Sequence, residues 1–142
     1  GFHLLDRIYG TYMQLANTPA AALQALDEAR AAVHGPLETC PGCRITFTVP
    51  AAIAAARAGR LDLAEDYASQ TSYLANVVMR LPAWHAAHDE VRGHIGLAGN
   101  EDSVSVKAKF ATAAAGFRTA GHPIDAARCE QLAMNEQAGK VE

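Results

Sequence analysis

Residues 38–44 read Glu-Thr-Cys-Pro-Gly-Cys-Arg, and they hold two of the chain's three cysteines around a Pro-Gly turn. A Cys-x-x-Cys pair on a tight turn offers two thiolates at the bite a tetrahedral zinc site requires, and Pro-Gly makes such a turn easy. An odd cysteine count in a chain without a secretory pattern argues against a disulfide framework and for reduced thiols or a metal. Three readings stay open. The pair could clasp a metal, it could be a redox dithiol, or Cys40 and Cys43 could sit in a loop while Cys129 packs as a small buried hydrophobe. The redox reading needs a thiol acidified at a helix N-terminus. The residues that follow, Arg-Ile-Thr-Phe-Thr-Val-Pro, carry no immediate helical stripe, and no βαβ pattern surrounds them.

A zinc clasp needs two more ligands, so the elements that could deliver them matter. Half the residues are hydrophobic but only 6% are aromatic, and alanine supplies much of the apolar count, which favours close-packed helices over a sheet. Apolar residues at helical spacing form one stripe through Leu4, Leu5, Ile8, Tyr12 and Leu15 and a second through Ala22, Leu23, Leu26, Ala29 and Val33. Thr18 suits the cap of the second helix and Pro19 its first turn. The period is lost from His34 to about Val49. A third helix is expected over Pro50 to Ala58, a fourth from Leu61 to about Leu81, and a fifth from Pro82 to Gly99. A sixth carries Val104, Val106, Phe110, Ala114 and Phe117. A seventh starts after Gly121-His122-Pro123.

The expected fold is therefore all-α, with about seven antiparallel helices in one domain spanning residues 1–142. Turns at Asn17, Gly59 and Gly99 recur about every 40 residues, a solenoid-like period. Small or branched residues follow each turn at matched positions: Ala22, Ala64, Val104 and Ala126, then Ala29, Thr71, Ala111 and Ala133. These would let helices approach closely, with a left-handed glycine ending each preceding helix. Gly1-Phe2 stands inside an apolar pattern in place of a methionine start, so a segment of a longer protein is expected.

Sorting the connections of antiparallel helices onto two rims puts Cys40, Cys43, His85, His88, His122 and Cys129 toward one end. The expected zinc ligands are Cys40, Cys43, Cys129 and His88, because His88 lies beside the stripe of Trp84, Ala87 and Val91. The remaining polar groups read as structure. Trp84 is expected as a core anchor, the histidines and acids of Trp-His-Ala-Ala-His-Asp-Glu as a solvated or capping face, and Asp125 with Arg128 as a local ion pair.

The stretch Arg-Ala-Gly-Arg-Leu-Asp-Leu-Ala-Glu-Asp-Tyr-Ala-Ser-Gln, residues 57–70, resembles the turn and second helix of a degenerate tetratricopeptide repeat. Residues 91–104 through 113–133 resemble the helical region of large bacterial transcriptional regulators, including those with a LuxR-type DNA-binding end and an ATPase-like core. The resemblance implies a right-handed α-solenoid of helical hairpins that receives a signal or binds a protein segment or a partner domain.

A net charge of −3 and the lack of a basic run exclude the electrostatic footprint of a nucleic-acid-binding surface. The uncharged stretch Ile45 to Ala56 is too short to span a membrane, and no signal-peptide pattern opens the chain, so a cytoplasmic location is expected. No phosphate-binding glycine pattern occurs, and no nucleophile, base and orienting group can be assembled. The expected function is a non-catalytic interaction module, with a zinc-stabilised or metal-sensing domain as the alternative.

Overall fold

The computed structural model describes residues 2–32 and 40–135, and within them every regular element is helical. The helices are α1 (Phe2–Leu15), α2 (Pro19–Ala32), α3 (Pro41–Arg57), α4 (Leu61–Tyr73), α5 (Pro82–Ala98), α6 (Ser103–Thr119) and α7 (Pro123–Met134). Val33 and the His34-Gly35-Pro36 break lie outside the described residues. No described helix is long and apolar enough to cross a membrane.

Local chemistry sets most helix starts. The Thr18 hydroxyl accepts the Ala21 amide at 3.1 Å, and the Asp102 carboxylate accepts the Ser105 amide at 2.9 Å. Pro19, Pro41, Pro82 and Pro123 each open a helix, where a missing N–H leaves nothing unpaired. The ends share one device, a hydrogen bond from an amide to the carbonyl five residues back: Arg60 to Ala55, Glu101 to Gly96 and His122 to Phe117, each between 2.8 and 2.9 Å. Gly59 (φ 74°) and Gly121 (φ 80°) supply the left-handed residue expected of them. At the middle turn Asn100 (φ 55°) takes that role, and Gly99 stays at φ −84°.

Two helices differ from expectation. Helix α3 begins at Pro41, nine residues before the expected Pro50, so the Cys-Pro-Gly-Cys turn is its first turn. The β-branched run that hid it is held helical by burial, since Ile45, Phe47, Thr48 and Val49 all belong to the core. Pro50 then lies inside the helix and has no N–H to give the Thr46 carbonyl. Helix α4 gives way at Leu74 to a π-helical segment, Leu74–Met79, that stops at left-handed Arg80 (φ 50°).

The helices pack in chain order: α1 against α2 and α3, α3 against α4 and α5, α5 against α4 and α6, and α6 against α7. Phe110, Leu26, Ile45, Val91 and Val106 are almost fully buried, and alanines fill the space between them. The buried Thr71 hydroxyl bonds both the Thr48 hydroxyl (3.1 Å) and the Tyr67 carbonyl (2.9 Å), satisfying the polar groups of this α3–α4 seam. Of the matched small positions, Ala22, Ala29, Ala64, Thr71 and Ala126 are buried. Val104 and Ala111 are exposed, and Val106 and Ala113 take their places two residues later, because the Asn100 turn carries extra residues before the Asp102 cap.

Helix α1 also turns an unexpected face inward. It buries Asp6 and Met13 and sets Gly10 against the α3 backbone, whereas Leu4, Ile8, Tyr12 and Leu15 stand 47 to 73% exposed. Gly10 decides this orientation, because a backbone-to-backbone approach brings more atoms together than the branched stripe could at a greater separation.

Candidate functional site

Two places gather chemistry. The first is a groove of about 460 Å³ walled by α1, α3, α5 and α7, with Ala22 of α2 also lining it. Met13, Val49, Pro50, Ile53 and Leu132 form its apolar part, and Arg57, Glu90, His94, Asp125 and Arg128 its polar part. Glu90 sits within an apolar stripe of α5, beside Ala86, Ala87 and Val91, and is only 3% exposed. Arg128 reaches it with two parallel bonds, Nε to Oε1 and Nη2 to Oε2, both 2.8 Å. The third nitrogen of the guanidinium meets Asp125 at 2.7 Å, which is the local pair expected from sequence. Two carboxylates thus share one arginine, and Glu90 holds that guanidinium more firmly charged than usual.

His94 lines the same groove with its ring edge-on to Phe110, centroids 5.1 Å apart. Burial pushes its pKa down to about 4, and the charges of Arg57 and Arg128 add to the effect. At neutral pH it is an uncharged imidazole, so its 4.0 Å approach to Glu90 is not an ion pair.

Removing Arg128 tests how much the shared arginine holds. A fully buried pair that loses one partner costs about 3–5 kcal/mol, but Arg128 is 46% exposed and water can reach the gap. Arg128→Ala is expected to lower stability by about 1.5 kcal/mol in urea unfolding. Arg128→Lys is expected to recover less than half of that, since an ammonium cannot make the two-pronged contact.

The second place is the start of α3. Cys40 caps the helix, its sulfur accepting the Cys43 amide at 3.3 Å, and the two sulfurs are hydrogen-bonded at 2.9 Å. The thiol and amide of Cys43 lower the Cys40 pKa, while the same sulfur contact raises that of Cys43. His3, in the first turn of α1, crosses 37 positions of sequence to accept the Cys40 amide on Nδ1 at 3.2 Å. Ligand atoms of His3, Cys40 and Cys43 all lie within 4.8 Å of one another, close enough to hold a metal ion.

His88 and Cys129, the other two expected zinc ligands, are not part of this group. His88 faces α4 beside Glu65, Ser69 and Arg92, and burial lowers its pKa. Cys129 is fully buried, and burial together with the Glu90 charge pushes its thiol up to about 12, which suits a packed hydrophobe and not a thiolate ligand. Both were expected from their inferred rim, and a shared rim does not bring side chains together. His3 was missed because nothing in its spacing links it to the cysteines; only the packing of α1 on α3 does. Glu90 was expected on a solvated or capping face and is buried instead; its position in a helical apolar stripe was the signal.

Comparison with protein-family models, curated proteins and solved structures found no match.

Proposed function

We propose that this chain is a non-catalytic protein-interaction or signal-receiving module of a larger bacterial regulator. It would be a tetratricopeptide-like, right-handed stack of antiparallel helical hairpins that takes a protein segment or a partner domain in its groove. The observation that carries this reading is the composition of the groove walls, which come from α1, α3, α5 and α7, with Ala22 alone from α2 and no residue of α4 or α6. In a stack of hairpins the first helix of each pair lines the inner surface and the second forms the outer one.

The mechanism is burial of partner apolar groups against Met13, Ile53 and Leu132, with the charged wall setting orientation. Two arginines, Arg57 and Arg128, balance two carboxylates, Glu90 and Asp125, so the groove suits an apolar segment over a strongly charged one. One observation, the imidazole and thiol trio, favours a second reading in which a bound metal stiffens the same module.

Panning a displayed library of random peptides against the domain tests the groove. Selected peptides are expected to raise the Tm of the domain and to bind Ile53→Glu at least roughly tenfold more weakly. Val104→Glu, on the exposed side of α6, is expected to bind them unchanged. Selected peptides indifferent to Ile53→Glu would overturn the reading.

A further inference from the structure

We propose that His3, Cys40 and Cys43 hold a zinc ion with three protein ligands, leaving a fourth position for an exogenous ligand, and that this ion ties the start of α1 to the start of α3. Two sulfurs and an imidazole nitrogen within 4.8 Å of one another are the donor set and span zinc selects, at about 2.3 Å to sulfur and 2.0–2.1 Å to nitrogen. The three residues come from two segments separated by all of α2, so their convergence is a product of the fold and not of local sequence.

A buried carboxylate stands next along α1. Asp6 lies one helical turn beyond His3, is 2% exposed and accepts from Arg44 on Oδ1 at 3.3 Å, while its Oδ2 has no hydrogen-bond partner among the described residues. Arg44 supplies the charge beside this carboxylate, and one of its oxygens keeps a free lone pair.

Binding requires small movements. Two thiolates on tetrahedral zinc stand about 3.8 Å apart, so the sulfurs part by roughly 1 Å from their present contact. The Nδ1 lone pair moves from the Cys40 amide to the metal, and the two thiols release two protons as the zinc–sulfur bonds form. With three protein ligands and an open position, the site has the coordination that in zinc proteins admits water or a substrate donor. Its exposure at Cys40 and His3 leaves that position reachable from solvent.

The test is zinc titration of the reduced full chain, with a phosphine reductant present, followed by cobalt substitution. One zinc per chain is expected, with a rise in Tm of roughly 10 °C at saturation. Cobalt should give tetrahedral d–d bands and a thiolate charge-transfer band that falls by half in Cys40→Ser. His3→Gln, an exposed change that leaves the fold intact, is expected to weaken zinc roughly 100-fold. His88→Gln and Cys129→Ser are expected to leave the affinity unchanged. Reduced protein that takes up no zinc, or an affinity indifferent to His3→Gln, would overturn the proposal. None of these results bears on peptide binding at the groove, so the two readings fail separately.

Discussion

Lowering the pH from 7 to 5 is expected to reduce the stability of the fold by about 2 kcal/mol through one side chain, His94. Its imidazole is 10% exposed, packed edge-on to Phe110, and held neutral with a pKa of about 4 against an ordinary 6.5. In the unfolded chain it takes up a proton near pH 6.5; in the folded protein it resists until about pH 4. Between those values the unfolded state binds more protons, so the contribution is fully present above pH 6.5, declines as pH falls, and levels off below pH 4. Across the whole window the loss is about 3 kcal/mol. Two features keep the proton off: burial comes first, and then the positive charges of Arg57 and Arg128. Glu90, the nearby carboxylate that could have offset them, is already engaged by Arg128. His94→Gln removes the titrating group, so its urea midpoint is expected to change much less over the same pH interval. An equal pH dependence in both proteins would contradict the assignment.

Gly10→Ala is expected to lower stability by about 2 kcal/mol, or the Tm by roughly 6 °C. A methyl at Gly10 would collide with the Thr46 carbonyl oxygen and stand 3.2 Å from its carbon and 3.5 Å from the Phe47 Cα. These are backbone atoms of α3, so no side-chain rotation relieves the contact and α1 itself must shift. Alanine regains about 1 kcal/mol of helix propensity, which the collision exceeds. The partner in this contact is significant. Thr46 is the residue whose carbonyl Pro50 cannot hydrogen-bond, and Gly10 lets α1 close over it. Gly59→Ala provides the control, because nothing lies within 4 Å of a methyl there and only the left-handed backbone at φ 74° resists it. Its expected effect is about 1 kcal/mol. Thermal unfolding of both variants measures the difference.

The all-helical class was legible because Thr18-Pro19, Pro82 and Pro123 mark helix starts, and Gly59 and Gly121 mark helix ends, through chemistry that acts within a few residues. The start of α3 was not legible. Ile45 to Val49 is rich in β-branched residues and is followed by Pro50, a local pattern against helix that burial between neighbouring helices overrides. The inner face of α1 was misread for a related reason: an apolar stripe through Leu4, Ile8, Tyr12 and Leu15 is outweighed by the one glycine that permits backbone contact. At the thiol cluster the sequence supplied Cys40 and Cys43 from spacing alone, and it named His88 and Cys129 from an inferred rim. A rim fixes height along a helix but not which face a side chain takes, and His3 reaches the pair only because α1 lies beside α3.

Methyl-resolved NMR of the intact domain, titrated with a peptide selected on it, reads the binding surface residue by residue. Shifts concentrated on Met13, Ile53 and Leu132 are the expected result, with Val104 and Ile124 silent on the exposed sides of α6 and α7. Shifts confined to Val104 and Ile124, or to Leu4, Ile8 and Leu15 on the outer face of α1, with silent groove methyls, would contradict binding between α1, α3, α5 and α7.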